Sequence, residues 1–120
     1  MDKKLKGRWG ENCAVEFLRK NGYSILSLGY KSRFGEVDII AQKKNIIAMI
    51  EVKTRKNVNI TKPMEAVDWR KQEKLKLTAL QWIEAKKCTK QIRFDVVEVY
   101  IDGDIYSPPK KINHIEDAFQ

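Results

Sequence analysis

Cysteine and histidine are nearly missing from this chain. Cys13 and Cys88 are its two thiols and His114 its single imidazole. Two thiols are too few for a disulfide framework or a zinc cluster. One histidine near the C-terminal end leaves little room for histidine-based acid–base chemistry, and His114 reads as a solvated surface side chain. A metal site must therefore draw on oxygen donors, which select Mg²⁺ or Mn²⁺. Long apolar runs are missing too. None approaches the roughly 20 residues that cross a bilayer, and no basic amphipathic segment stands apart from the fold. Met1-Asp2-Lys3-Lys4 leads into a polar helix instead of a signal-peptide core. The expected address is cytoplasmic, with no membrane partner. Acid is in short supply: 16 acidic residues face 24 basic ones, for a formal charge of +8 and a pI near 9.5. Such an excess favours a polyanionic partner, of which nucleic acid is the commonest. Repeats, linkers and low-complexity segments are absent, and 120 residues suit one domain with one core.

What is present is a clear alternation of helical and strand patterns. Leu5, Trp9, Cys13 and Phe17 recur every four residues, with Ala14 and Leu18 widening the stripe, so residues 2–21 read as a helix stopped by Gly22. Residues 23–30 read as a strand. Residues 36–42 and 46–54 form a hairpin closed by Lys43-Lys44-Asn45, with Asn45 suited to a left-handed conformation. The arm Ile46-Ile47-Ala48-Met49-Ile50 is apolar on both faces, as a covered central strand is. Pro63 opens a long helix to about Lys87, with Leu75, Ala79, Trp82 and Ile83 as its apolar face. Residues 92–100 form a strand, Asp102-Gly103 a tight turn and Ile105-Tyr106 a short return arm; Pro108-Pro109 ends regular structure, leaving 108–120 as a tail. The expected fold is one α/β domain over residues 1–107, a mixed central sheet flanked by helices in the order αβββαββ.

Charged residues inside two of these strands carry the chemistry. Burying an unpaired carboxylate costs several kcal/mol, so strands hold such groups mostly where a metal, a counter-charge or a reaction needs them. Glu51 and Lys53 lie two apart in Ile50-Glu51-Val52-Lys53-Thr54-Arg55 and share a face. If the hairpin closes as expected, Asp38 of Gly35-Glu36-Val37-Asp38 comes close to Glu51. Two adjacent carboxylates repel, and a divalent cation between them removes that cost. The Val52 carbonyl can add a ligand, and Lys53 can steer an attacking water or stabilise charge on a phosphoryl oxygen. Glu11 projects near Gly7 and Ala14, on the inward side of its helix, where it can reach the cation directly or through water. Plainer alternatives stand beside these. Glu51 and Lys53 can be a solvated edge-strand pair, Asp38 can bond a loop, and Glu11 can border an amphipathic face. Glu36 suits a salt bridge to Arg33 or Arg55 as well as a metal. Asp95, in Arg93-Phe94-Asp95-Val96-Val97, reads as structural.

The pair Gly35-Glu36-Val37-Asp38 and Glu51-Val52-Lys53-Thr54-Arg55 resembles the PD-(D/E)XK nuclease signature, with Val37 at the position that gives the signature its proline. With Gly10-Glu11 and Ala14, Glu65-Ala66-Val67 and Arg93-Phe94-Asp95-Val96-Val97, nearly the whole chain looks like the small bacterial YraN family. That family is similar in turn to Holliday-junction resolvases and the restriction-endonuclease-like fold. The resemblance implies that Asp38 and Glu51 are metal-binding acids, Lys53 the catalytic lysine and Glu11 the helix-one acid of the resolvase branch. It also implies that a homodimer is possible, since two strands need two sites.

Lys31, Arg33, Arg55, Lys56, Lys62, Arg70, Lys71 and Lys74 flank this constellation in sequence and can neutralise phosphates on either side of it. Lys71 and Gln72 are expected to face the site. Lys74 also suits a plain solvated helix face. No base-reading motif is visible, so recognition of backbone or shape is expected. Two functions follow. The first is a Mg²⁺- or Mn²⁺-dependent nuclease that hydrolyses phosphodiester bonds in DNA, with branched or structured DNA in view. The alternative is a non-catalytic nucleic-acid-binding or adaptor module that keeps the fold.

Overall fold

A computed structural model describes residues 3–56 and 67–120. Helix α1 (Lys3–Lys20) is followed by strands β1 (Ser24–Lys31), β2 (Glu36–Lys43) and β3 (Ile46–Arg55), helix α2 (Trp69–Lys86), and strands β4 (Gln91–Tyr100) and β5 (Lys111–Phe119). The five strands form one mixed sheet in the order β1-β2-β3-β4-β5. The β3/β4 pair is parallel and the other pairs are antiparallel. A parallel pair needs a crossover connection, and α2 supplies it. This is the expected α/β architecture in the expected order αβββαββ.

The two helices cover opposite faces of the sheet. Ile39, Ala41, Ala48, Ile50, Val97 and Val99 pack with Ala14, Val15 and Leu18 of α1. Ile40, Ile47, Met49 and Val96 pack with Leu75, Ala79 and Trp82 of α2. This two-sided cover explains why Ile47 to Ile50 are apolar without alternation. The seam of α1 is rotated from the expected stripe. Gly10, Ala14, Val15 and Leu18 are buried, whereas Leu5 is 46% exposed and Trp9, Cys13 and Phe17 lie at the border. Small residues set that seam: a Cβ at Gly10 would collide with Oγ1 of Thr54 on β3. Gly22, at φ 90°, ends α1 as expected, and the Tyr23 N–H reaches back to the Leu18 carbonyl.

Three other expectations are corrected. The hairpin closes at Lys43 opposite Ile46, so its turn is the two residues Lys44-Asn45, and Lys44 (φ 55°) takes the left-handed conformation. Helix α2 starts at Trp69, with Asp68 as an extended N-cap whose carboxylate accepts the Lys71 N–H at 2.9 Å; Pro63 and Lys62 lie outside the described residues. The chain also does not end in a tail. Residues 111–119 form β5, paired antiparallel to β4 from Tyr100/Lys111 to Phe94/Phe119. The return arm is therefore this strand and not Ile105-Tyr106, and Ala118 and Phe119 enter the α2-side core.

Candidate active site

The paired register of β2 and β3 runs from Lys43/Ile46 to Ile39/Ile50. The pairing ends there, and Asp38 and Glu51 are the next residues on the two strands. There the carboxylate of Asp38 accepts the Val52 N–H at 2.9 Å. Glu51 follows Ile47 and Met49 on the α2 face and is 4% exposed. The ammonium of Lys53 stands 3.6 Å from Glu51 Oε1, and that of Lys71, reaching down from α2, donates to the same oxygen at 2.5 Å. Asp38, Glu51 and Lys53 thus converge as the sequence suggested. The Asp68 cap positions the fourth member, because it fixes the first turn of α2 and with it the direction of Lys71.

The electrostatics of this cluster are strained on the acidic side. Burial, then the Glu51 charge, push the Asp38 carboxyl up to about 7; the Val52 N–H pulls the other way, Glu11 adds to the rise, and Lys71 opposes it. Glu11 is half-buried on α1. Burial, followed by the charges of Glu36 and Glu51, raises its carboxyl above the ordinary value. Burial also acts to lower Lys71, but the hydrogen bond to Glu51 and the charges of Glu51 and Asp38 outweigh it and hold the ammonium above the usual lysine range.

As cation ligands, Asp38, Glu51 and the Val52 carbonyl are the donors on offer. Among the described residues, three acidic, histidine or cysteine side chains nowhere gather tightly enough to hold an ion by themselves. Glu11 therefore stands outside a direct three-carboxylate shell. Mg²⁺ often uses one or two carboxylates and keeps its remaining positions for water and substrate oxygens, so the donor set fits. The Lys71 ammonium supports the fit, since a cation already rests on Glu51.

The basic residues divide. Lys31, Arg33 and Lys56 are exposed, with the Arg33 guanidinium 4.8 Å over the Phe34 ring. The loop that carries Arg33 is pinned to α2 by a 2.7 Å hydrogen bond between the Ser32 and Thr78 hydroxyls. Arg55 is less free: its Nε donates to Glu98 at 3.2 Å. Gln72 turns back to donate to the Val67 carbonyl at 2.9 Å, so its amide is spent on the cap of α2.

Of two buried networks, the one around Glu98 escaped the reading of the sequence and the one around Asp95 was foreseen apart from His114. Glu98, fully buried beside Lys53 in the β3/β4 register, accepts from Arg55, Tyr100 and Asn113. A carboxylate between Val97 and Val99 is the same signal that singled out Glu51 and would have found it. Asp95 is structural, as expected, and fully buried. It accepts two hydrogen bonds from Arg93 at 2.8 Å, one from the Asp117 N–H, and pairs with His114 Nε2 at 2.8 Å. His114 is accordingly not the solvated side chain expected. Its side chain is 10% exposed, against Phe17 and Tyr23.

These elements define a class: a single α/β domain whose central hairpin sets a buried glutamate against an aspartate, with two lysines on the glutamate. Within that class the protein belongs to the family described as "Uncharacterised protein family UPF0102", whose pattern matches residues 10–99. It is 45% identical to a UPF0102 protein of Caldicellulosiruptor bescii, over 99% of this chain and all of the relative. It is 42% identical to the UPF0102 protein TTE1452 of Caldanaerobacter subterraneus subsp. tengcongensis, over 99% of this chain and 98% of the relative. A UPF0102 protein of Rhodococcus opacus is 37% identical over 94% of each chain.

Proposed function

We propose that this protein is a metal-dependent nuclease that hydrolyses phosphodiester bonds in DNA, with branched or otherwise structured DNA as its substrate class. The observation that carries this reading is the meeting of Asp38, on the Val52 N–H and within the field of Glu51, with the Glu51–Lys53 pair. Asp38, Glu51 and the Val52 carbonyl would hold Mg²⁺ or Mn²⁺. A bound divalent ion supplies Lewis acidity to a phosphoryl oxygen and acidifies water. The protein's own groups do the rest. Lys53 orients the attacking water and offsets charge developing on the phosphate. Lys31, Arg33, Lys56 and Lys71 seat the phosphates on either side, and Arg55 and Gln72 contribute through Glu98 and the α2 cap that they hold. Glu11 adds negative potential at the edge of the site and acts through water.

No described helix is long and apolar enough to cross a membrane, and the proposed place of action is the cytoplasm. Paired cuts across a branched substrate fit two copies of the chain acting together. Cleavage of a labelled four-way junction and of linear duplex in Mn²⁺ tests the proposal. The wild-type chain should cut, and Glu51→Ala and Lys53→Ala should each lose at least about 100-fold in rate. The contact between Lys71 and Glu51 favours a second reading, a DNA-binding module with its acid already neutralised. Equal binding by all three proteins with no cutting by any would establish it.

A further inference from the structure

We infer that Lys71 is a place-holder on Glu51, released to a substrate phosphate when a divalent ion takes that carboxylate. The inference rests on the nuclease reading above and concerns the regulation of the same site. Glu51 is buried, and a buried carboxylate without a partner is costly. The partner it has is the Lys71 ammonium, 2.5 Å from Oε1, with Lys53 more distant at 3.6 Å on the same atom. The oxygen that Lys71 occupies is one of the few donors available to a cation, so lysine and metal compete for it. The Lys71 side chain is 44% exposed, which leaves it a way out to solvent. Its backbone is fixed by the Asp68 cap at the first turn of α2, so the ammonium can leave Glu51 without the helix moving. The exchange conserves function in both directions. Without metal, Glu51 stays neutralised and Lys71 is withheld from DNA. With metal, Glu51 is ligated and a cation is freed beside the reacting phosphate. Metal and DNA then bind with positive coupling, which linkage makes reciprocal.

Mn²⁺ affinity, measured by loss of the free-ion paramagnetic resonance signal, and DNA affinity, measured by anisotropy in EDTA and in Ca²⁺, test this without turnover. Lys71→Met should bind Mn²⁺ roughly three- to tenfold tighter than wild type, as expected for removal of a partly exposed competing ion pair. Lys74→Met, which removes a charge on the same helix, should change it far less. Wild type should gain DNA affinity in Ca²⁺, with one further phosphate contact in its salt dependence, and Lys71→Met should lose that gain. Glu51→Gln should release Lys71 and bind DNA more tightly in EDTA. Lys71→Gln serves as a second variant if the methionine form does not fold. Equal Mn²⁺ binding by wild type and both Lys71 variants overturns the exchange and leaves the nuclease reading standing. Failure of every protein to bind Mn²⁺ overturns both.

Discussion

Asp38 is held between two opposing demands. The nuclease proposed above needs it near Glu51 to share a cation, yet burial, together with that proximity, lifts its carboxyl to about 7. In the unfolded chain its value is the ordinary 3.8. The folded state therefore binds the proton more tightly, and stability falls as pH rises from about 4 to about 7, then levels off. Asp38→Asn keeps an oxygen for the Val52 N–H and removes the charge. We expect it to be more stable than wild type by on the order of 1–2 kcal/mol at pH 8, with the difference vanishing near pH 4, while cleavage is lost. Urea unfolding across that pH range checks the first half, and the Mn²⁺ assay the second. A gain in stability paired with a loss of activity is the mark of a site built against the fold's own preference. At this scale the sequence spoke clearly for Asp38, Glu51 and Lys53, because a charge inside an apolar strand is visible in one dimension. It was less informative on partners: the helical spacing turned Lys71 toward the site without showing that it lands on Glu51 from twenty positions away, and nothing in the order of residues tells that Arg55 meets Glu98. His114 looked solvated because its partner Asp95 lies on another strand.

Strand β5 is where element and sequence part most. Its residues, Lys111-Ile-Asn-His-Ile-Glu-Asp-Ala-Phe, alternate poorly, and Pro108-Pro109 before them reads as an ending. The irregularity has a cause. The β4/β5 register shifts between Phe94 and Val96, Asp117 takes a positive φ of 52°, and the Asp95 carboxylate accepts the Asp117 N–H that the bulge leaves over. A bulge breaks the period of two that strand recognition relies on. By contrast, β2 and β3 were legible from their unbroken apolar runs and the hairpin turn between them, and α2 from its helical period, apart from its start, which the Asp68 cap sets. The consequence of β5 is testable. Residues Asp95 to Tyr100 of β4 are all buried because β3 and β5 flank them. Deleting residues 108–120 turns β4 into an exposed apolar edge and strips Ala118 and Phe119 from the core. The loss should exceed about 5 kcal/mol, comparable to the whole stability of a small domain. Circular dichroism should then show no cooperative melting transition, and a truncated chain that still melts cooperatively would mean that β5 is dispensable.

The whole molecule is a polycation, at +8, with a partly buried acidic group at Asp38 and Glu51. These two charges act over different ranges. The net charge attracts a polyanion from a distance and is screened beyond about 10 Å at 0.1 M salt. The acidic cluster acts only at contact, where it repels a phosphate unless its charge is offset. The proposed nuclease would use this division, since binding and chemistry then respond to different variables. Four cations carry the phosphate contacts proposed above: the exposed Lys31, Arg33 and Lys56, and the partly exposed Lys71. Neutralising four phosphates gives a slope of about −4 in the logarithm of affinity against the logarithm of salt, so affinity should fall by roughly two orders of magnitude between 50 and 200 mM salt. Lys53→Ala removes a half-buried charge aimed at Glu51, so it should abolish cleavage and leave that slope nearly unchanged. Replacing Lys31 and Arg33 together should flatten the slope to about −2 and weaken binding to every DNA sequence alike. Anisotropy titrations at four salt concentrations separate these outcomes. A slope near zero in the wild-type chain would mean that its basic surface does not serve DNA, and the acidic cluster would then have to be read without a polyanionic substrate.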